Sequence, residues 1–290
     1  MNTRSVGLDP GAIARARLIG PGAFEAPLRQ RLMLWLVTGG VGAFTAYCLV
    51  LFEVSPLRLW QGLDKLVDVL GHMFPPTAKD SGWDYAYAML QTVAMAFLGT
   101  VIASILAIPL GIACAKNLVP NWVVRFVFRR SNDVLRGVDQ MIWALIFVRA
   151  VGLGPLAGIL AIIISDTGTL AKLYSEAIEN ADKRPVEGVR ACGGNALQTI
   201  RFGILPQVLP IMLSNALYIF ESNTRSATIL GIVGAGGIGF YLADRIRTML
   251  WEEASFIVLM ILATVYAIDW ASRRVRSRLI GTTESTPALH

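Results

Sequence analysis

Three ionisable side chains fall inside apolar stretches long enough to cross a membrane, namely Asp166, Glu221 and Arg225. A charge at the centre of a bilayer costs about 2.5–3.5 kcal/mol on insertion scales, so each is a candidate functional residue. Glu221 and Arg225 are four residues apart and share one helix face, where they form a local ion pair, part of a solute path, or both. Asp166 either faces such a path or caps a helix break near Gly168.

Polar residues surround Arg225 in its apolar stretch. For an anionic solute, a guanidinium among hydroxyl and amide groups would form a wall along which the anion can pass, whereas a deep binding well would slow its release. These residues are therefore candidates for a translocation pathway. Its candidate residues are Asp166, Glu221, Ser222, Asn223, Arg225, Ser226 and Thr228.

Catalytic and metal chemistry have no support in the sequence. His72 and His290 are isolated in the sequence, and the three cysteines are far apart without a metal-ligand spacing. The glycine-rich stretch 231–239 lacks the Lys-Ser/Thr pair that completes a phosphate-binding loop, so it is better explained by close packing of helix ends. We expect this chain to bind no cofactor or metal.

The composition requires a lipid phase, since 54% of the 290 residues are hydrophobic and only 16% are charged, against about 25% charged in soluble domains. We predict an all-α, polytopic transmembrane helical bundle with about six spans, because about 20 apolar residues are enough for one crossing. Residues 53–86 are predicted to be an extracytoplasmic amphipathic segment. The spans are expected at residues 32–52, 87–115, 137–151, 155–174, 207–233 and 254–271.

The distribution of positive charge gives the orientation. Nineteen of the 26 lysines and arginines lie in the N-terminal tail, at the loops after spans two and four, and just after span six, and six lie at the other connections. Both termini are therefore predicted to be cytoplasmic, with tails at residues 1–31 and 281–290. We expect a multi-pass protein of the bacterial inner membrane, whose positive charge faces anionic lipid rather than nucleic acid.

The loop 175–206 is the longest connection on the predicted cytoplasmic side. Pro185 marks a possible helix start, and Gly193 and Gly194 supply the turn of a short helical hairpin. Pro206 marks the return of the chain into the membrane. One side of the hairpin is expected to be lined by Val186, Val189, Ala196, Leu197 and Ile200.

The spacing of this loop resembles the EAA motif of ABC-importer permeases, in which Glu-Ala-Ala is followed after three residues by Gly and after nine more by Ile-x-Leu-Pro. The motif's two alanines and its isoleucine are replaced here by Gly188, Val189 and Gly203. Four residues match in type and position: Glu187, Gly193, Leu205 and Pro206. Residues 143–148, 152–155, 221–231 and 234–239 are similar to phosphonate-type permeases, and the similarity covers about residues 85–280.

The resemblance implies the ABC type I importer permease fold, for a permease transmembrane domain at residues 85–280. It implies a non-enzymatic subunit that forms the pathway for phosphonate or a related small phosphorus oxyanion. Its partners would be a second copy or a close homologue, an extracytoplasmic binding protein, and two ATPase subunits that bind ATP and Mg. The loop would contact an ATPase through Glu187, Gly188, Ala191, Gly193, Leu197, Leu205 and Pro206.

Three alternatives stay open at this point. One is an ABC permease for another small solute, such as phosphate or methionine. Another is an ion-coupled secondary transporter, which predicts repeated halves and paired intramembrane acids that the sequence does not show convincingly. A membrane enzyme is the third, and the sequence supplies no catalytic cluster for it.

Overall fold

The computed structural model describes residues 28–281, so the predicted tails 1–31 and 281–290 lie almost entirely outside the described range. The chain divides into two compact units after Asp68. The first unit contains α1 (Leu28–Leu51) and most of α2 (Pro56–His72). Helix α1 includes a candidate membrane span, Leu32–Leu51. Helix α2 has its apolar residues on one side, as expected for the amphipathic segment.

The second unit is a bundle of helices joined by short connections. It includes a 3₁₀ turn, Lys79–Ser81, and a π-helical turn, Thr199–Ile204. The described residues contain no strand, which agrees with the predicted all-α class. Its helices are α3 (Gly82–Cys114), α4 (Trp122–Gly137), α5 (Gln140–Val151), α6 (Pro155–Glu179), α7 (Lys183–Ala191), α8 (Ala196–Gln198), α9 (Leu205–Ile232), α10 (Ile238–Arg247) and α11 (Trp251–Gly281).

Four further candidate spans lie in this unit. They are Lys79–Cys114, Pro155–Glu179, Ala196–Ile232 and Trp251–Arg278, each close to a predicted span. With α1 they make five helices in the described range that are long and apolar enough to cross a membrane.

The third predicted span, residues 137–151, differs most from the structure. Only α5 is found there, and its 12 residues extend about 18 Å, against the roughly 30 Å of a hydrocarbon core. The chain breaks before it at Asp139, whose carboxylate accepts the N–H of Met141 at 2.8 Å and caps α5. Asp139 is therefore a start signal for a second helix rather than part of one continuous span.

Helices α4 and α5 together follow the whole length of α6. Ala144 of α5 packs with Ala161 in the first half of α6. Arg129 of α4 pairs with Glu179 at the end of α6. We therefore interpret α4 and α5 as one jointed crossing, which keeps the number of crossings at about six.

Helix α6 is the centre of the bundle, because small residues let its neighbours approach closely. A Cβ built on Gly99 of α3 would lie 2.5 Å from Cγ2 of Ile162, and one on Gly111 would lie 2.9 Å from Cβ of Tyr174. On the other side of α6, a Cβ at Gly168 would meet the backbone oxygen of Asn132 at 2.8 Å. These three glycines fix how closely α3 and α4 pack on α6.

The glycine-rich stretch 231–239 packs two helix ends together, as the sequence predicts. Gly234, Gly236 and Gly237 have positive φ, a backbone conformation that favours glycine. The carbonyl of Gly234 accepts the N–H of Gly154 at 3.0 Å. The N–H of Ile238 donates to Thr92 at 2.8 Å, so the stretch also fastens α10 to α3.

Replacement of Gly168 tests the contact between α4 and α6. We expect Gly168→Ala to destabilise the protein by about 1–3 kcal/mol, because the new methyl group overlaps backbone and cannot be relieved by rotation of a side chain. Gly137→Ala is the matched control, since a Cβ there meets nothing within 4 Å. Thermal unfolding of the purified protein in detergent measures both, and equal midpoints in the two variants would contradict this packing.

Candidate translocation site and coupling loop

The buried carboxylate of Asp166 lies in the middle of α6, which is continuous from Pro155 to Glu179. The alternative that Asp166 caps a helix break near Gly168 is therefore wrong. Asn223 of α9 donates its side-chain N–H to Asp166 at 2.5 Å and to the hydroxyl of Thr100 at 2.8 Å. Asp166, Thr100 and Asn223 are each at most 8% exposed.

A fourth helix joins this group through Gln140, whose side-chain N–H donates to Oδ1 of Asn223 at 3.4 Å. We call Thr100, Gln140, Asp166 and Asn223 the polar junction. It connects α3, α5, α6 and α9, and within the described residues no lysine or arginine forms an ion pair with Asp166. The junction therefore stabilises Asp166 by hydrogen bonds, with the Asn223 amide as its principal donor.

Arg225 lies on the opposite side of α9 in a network of charges. Its Nη1 is 3.6 Å from Oε1 of Glu221 and 3.4 Å from Oδ1 of Asp269 in α11. Glu221 also binds Nη2 of Arg276 at 3.2 Å. The predicted local pair is present, and Asp269 is a second partner of Arg225.

The predicted polar wall is therefore divided between two sides of α9. Asn223 and Thr228 are buried, whereas the side chain of Arg225 is 48% exposed. Ser222 and Ser226 are half-buried between these sides. Sequence reasoning missed Thr100, Gln140 and Arg276, and of these only Arg276, a cation close to an apolar span, left any signal in the sequence.

The predicted coupling loop, residues 175–206, forms the expected helical hairpin. Asp182 accepts the N–H of Arg184 at 3.0 Å and caps α7. The helix therefore begins at Lys183, two residues before Pro185. Gly193 has φ +80° and makes the turn, while Asn195 caps α8.

All seven predicted coupling residues are exposed at the surface. Leu197, which we expected inside the hairpin, is 75% exposed. Val186 and Ile200 do pack against the core, and a Cβ on Gly203 would lie 3.1 Å from Cα of Val186. The exposed members of the predicted set are Glu187, Gly188, Ala191, Gly193, Leu197, Leu205 and Pro206.

One side chain fastens the loop to α9. Gln207, in the first turn of α9, accepts the N–H of Asp182 at 3.0 Å through Oε1 and donates to the Asp182 carbonyl at 3.2 Å through Nε2. It also donates to the carbonyl of Gly203 at 2.6 Å. The start of α7 and the start of α9 are therefore linked directly.

Comparison with known families agrees with this geometry. Residues 107–280 match the family described as binding-protein-dependent transport system inner membrane component. The chain belongs to this family. It is thus a permease component of the ABC transporter class, and not itself an enzyme.

Individual relatives support the assignment of the permease. It is 38% identical to the phosphate-import permease protein PhnE of Mycolicibacterium smegmatis over 94% of its own length and 52% of that protein. It is also 38% identical to the putative phosphite transport system permease protein HtxC of Stutzerimonas stutzeri, covering 79% of this chain and 81% of that protein. A fragment-length relative, the putative cryptic phosphonate transport system permease protein PhnE2 of Escherichia coli, is 48% identical over 42% of the permease and 99% of its own length.

Solved structures show the fold of the permease. An inward-facing MetNI methionine ABC transporter chain matches with a TM-score of 0.60 at 19% identity, covering 70% of the permease and 99% of that chain. A chain of an amino acid ABC transporter solved with histidines matches with a TM-score of 0.56 at 16% identity, covering 68% and 97%. The predicted ABC type I importer permease fold is thereby confirmed.

The polar junction predicts a specific pattern of stabilities. Asn223→Ala removes the donor to Asp166 and is expected to cost about 1–3 kcal/mol, because the carboxyl group then stays buried without that bond. Ser226→Ala, one turn away and half-buried, is the control and is expected to change little. The double variant Asp166→Leu/Asn223→Leu should recover part of the loss, because it removes both polar groups together.

Urea or thermal unfolding of the purified permease measures the stability of each variant. If the double variant were less stable than Asn223→Ala alone, the polar junction would have some other source of stability than the Asp166–Asn223 hydrogen bond.

Proposed function

We propose that this permease forms the translocation pathway of an ATP-driven importer for phosphonate or a related small phosphorus oxyanion. The observation that carries the proposal is the 38% identity, over 79% and 94% of the chain, to permeases named for phosphite and for phosphate import. These two relatives are named for different anions, but both anions are oxyanions of phosphorus. The chain spans about half the length of the Mycolicibacterium relative.

The assembly that we propose contains two permease subunits, either two copies of this chain or this chain and a close homologue. A binding protein outside the cell delivers the solute, and two cytoplasmic ATPases bind ATP and Mg. The charge distribution supports this orientation, because it places the coupling loop and both termini on the cytoplasmic side. The remaining half of the Mycolicibacterium relative would accommodate a second unit of the same size.

The coupling loop suits contact with an ATPase. Gly188 and Ala191 are exposed on α7 and let another surface approach closely, while the exposed Glu187 is available to a cation on that surface. Gln207 would then transmit displacement of α7 to α9 through its two hydrogen bonds to Asp182. We infer that movement of the ATPases tilts α9, and with it the polar junction.

Arg225 suits the weak binding that a pathway needs. Its guanidinium is about half exposed, and two carboxylates already lie within 3.6 Å of it. An arriving anion must compete with Glu221 and Asp269, so it is attracted without being held tightly. The same arrangement would repel a cation less than an isolated arginine does. Arg225 would therefore select only weakly for anions, and the binding protein would contribute to the choice of solute.

Disruption of the turn at Gly193 tests the coupling role. Valine at φ +80° is strained by about 1–3 kcal/mol, so Gly193→Val should reshape the loop and abolish uptake driven by ATP. Gly188→Ala is the control, because a Cβ there meets nothing within 4 Å and alanine matches the EAA pattern. ATP hydrolysis stimulated by the binding protein is measured in proteoliposomes that contain the whole importer. Normal stimulation in Gly193→Val would remove the coupling role from this loop.

Uptake measurements test the substrate and the role of Arg225 together. We expect labelled methylphosphonate uptake, inhibited by excess phosphite or phosphate and not by methionine. Arg225→Ala should lower uptake about tenfold, the equivalent of one charged hydrogen bond, with assembly intact. Arg225→Lys should retain part of it.

Two results would count against the proposal. Inhibition by methionine alone would indicate an amino acid importer, as in the D-methionine permease relative of Haemophilus influenzae, which is 25% identical to this chain. Uptake driven by an ion gradient without ATP would indicate a secondary transporter. Unchanged uptake in Arg225→Ala would remove Arg225 from the pathway while leaving the class of substrate in place.

A further inference from the structure

A half-open pocket of about 410 Å³ lies at the end of the bundle that carries the coupling loop. Its walls come from the end of α3 with the residues just after it, from α4, and from the second half of α6. Glu179, at its rim, is the last residue of α6 and lies four residues before the start of α7. The pocket is separate from the polar junction and from the Arg225 network, with which it shares no residue.

The pocket is lined by an excess of positive charge. Its five cations are Lys116, Arg129, Arg130, Arg136 and Lys172, and its three carboxylates are Asp133, Glu176 and Glu179. Five cations against three carboxylates leave two positive charges. Arginine and lysine gathered from three segments around a concave surface are typical of sites that bind phosphate groups.

The carboxylates in the pocket are shared between cations. Asp133 binds Arg130 at 3.1 Å and Arg136 at 2.8 Å. Glu179 binds Arg129 and lies 3.9 Å from Nζ of Lys116. Each of these carboxylates therefore holds two cations in place without neutralising both, which presents the remaining charge at a fixed position.

Several of the cations are free to reach a ligand. The side chains of Arg130 and Lys116 are 67% and 61% exposed, and that of Lys172 is 47% exposed. Among residues 28–281, the ion pairs of Lys172 and Arg130 are with acids on their own helices, one turn away. Such pairs contribute little to stability and are easily exchanged for a stronger anion.

The surface next to the pocket is apolar. Trp122 and Phe126 of α4 stack at 5.5 Å between ring centroids, and the guanidinium of Arg130 lies 5.5 Å over the ring of Phe126. Trp122 is 64% exposed and Val127 is 54% exposed. A basic pocket adjoining exposed aromatic and aliphatic side chains is what a phospholipid needs, with its headgroup in the pocket and its chains on the apolar surface.

We propose that this pocket binds a phosphorus oxyanion, held by Arg130, Arg136 and Lys172. The exposed apolar face of α4 favours the phosphate of an anionic phospholipid in the adjoining leaflet as its source. The same cations would also accept a free phosphate or phosphonate from the coupling-loop side of the membrane. The site does not depend on which solute the permease transports.

Lipid binding by the full chain tests the proposal. The purified protein is titrated with dioleoyl-phosphatidylglycerol in phosphatidylcholine nanodiscs or mixed micelles, and bound lipid is counted by native mass spectrometry. Arg130→Gln and Lys172→Gln should each weaken phosphatidylglycerol binding about fivefold, as expected for one cation near an anionic lipid. Arg125→Gln is the matched control, because Arg125 is on the same helix but outside the pocket.

Further arms separate the two sources of the anion. Methylphosphonate and inorganic phosphate are titrated into protein in neutral lipid, with thermal unfolding as the readout. Saturable stabilisation that is lost in Lys172→Gln would assign the site to a free oxyanion, and its absence beside phosphatidylglycerol binding would assign it to lipid. Lys172→Arg keeps the charge and should restore binding, which separates loss of the site from misfolding. Absence of saturable binding in both arms, or equal weakening in Arg125→Gln, would overturn the proposal.

Discussion

A carboxyl group held in the centre of four helices constrains the rest of this permease. Asp166 is buried in a bundle whose outer surface is apolar, and the Asn223 amide of α9 lies 2.5 Å from it. In a medium of low polarity, loss of that bond would leave a buried carboxyl group without its principal donor. Helix α9 must therefore keep one rotation relative to α6. That rotation places Thr228 inside the bundle with Asn223, and it places Arg225 on the opposite side, facing Asp269 of α11.

Helix α9 also connects the middle of the bundle to the coupling loop. Helix α9 is continuous from Leu205 to Ile232, with Pro210 in its second turn, so its first turn and Asn223 belong to one helix. Gln207 holds that first turn to the start of α7, and the π-helical turn Thr199–Ile204 precedes it. A π-helical turn is a rare feature of helical geometry that is often found at functional sites. Under the proposed coupling, a force on the loop would reach Asn223 before any other buried polar side chain of α9.

Much of this fold could be predicted from the sequence, because each prediction rested on a local constraint. The long spans follow from the thickness of a bilayer, and the turn at Gly193 follows from the freedom of glycine at positive φ. The break before α5 could not be predicted, because Asp139 acts as a cap only once the chain has turned. The apolar run after it has the composition of a complete span. The partner of Asp166 was missed for a different reason. Which of several polar residues on α9 meets Asp166 depends on the rotation of two helices about their axes, and the hydropathy of a span does not specify that rotation.

The ion pairs around Arg225 determine the charge that a solute would meet on this side of α9. Arg225 and Arg276 face Glu221 and Asp269, so the network has two charges of each sign and no net charge. A neutral network costs less to keep near the membrane than an isolated arginine, because each charge is partly compensated by its neighbour. It also limits the depth of any anion-binding well, since an anion that approaches Arg225 also approaches two carboxylates. Two contacts of this network join α9 to α11, namely Arg225–Asp269 at 3.4 Å and Glu221–Arg276 at 3.2 Å, whereas the Glu221–Arg225 pair lies within α9 itself. A tilt of α9 relative to α11 would therefore change the compensation of Arg225 directly through Asp269 and indirectly through Glu221, and with it any attraction of Arg225 for an anion.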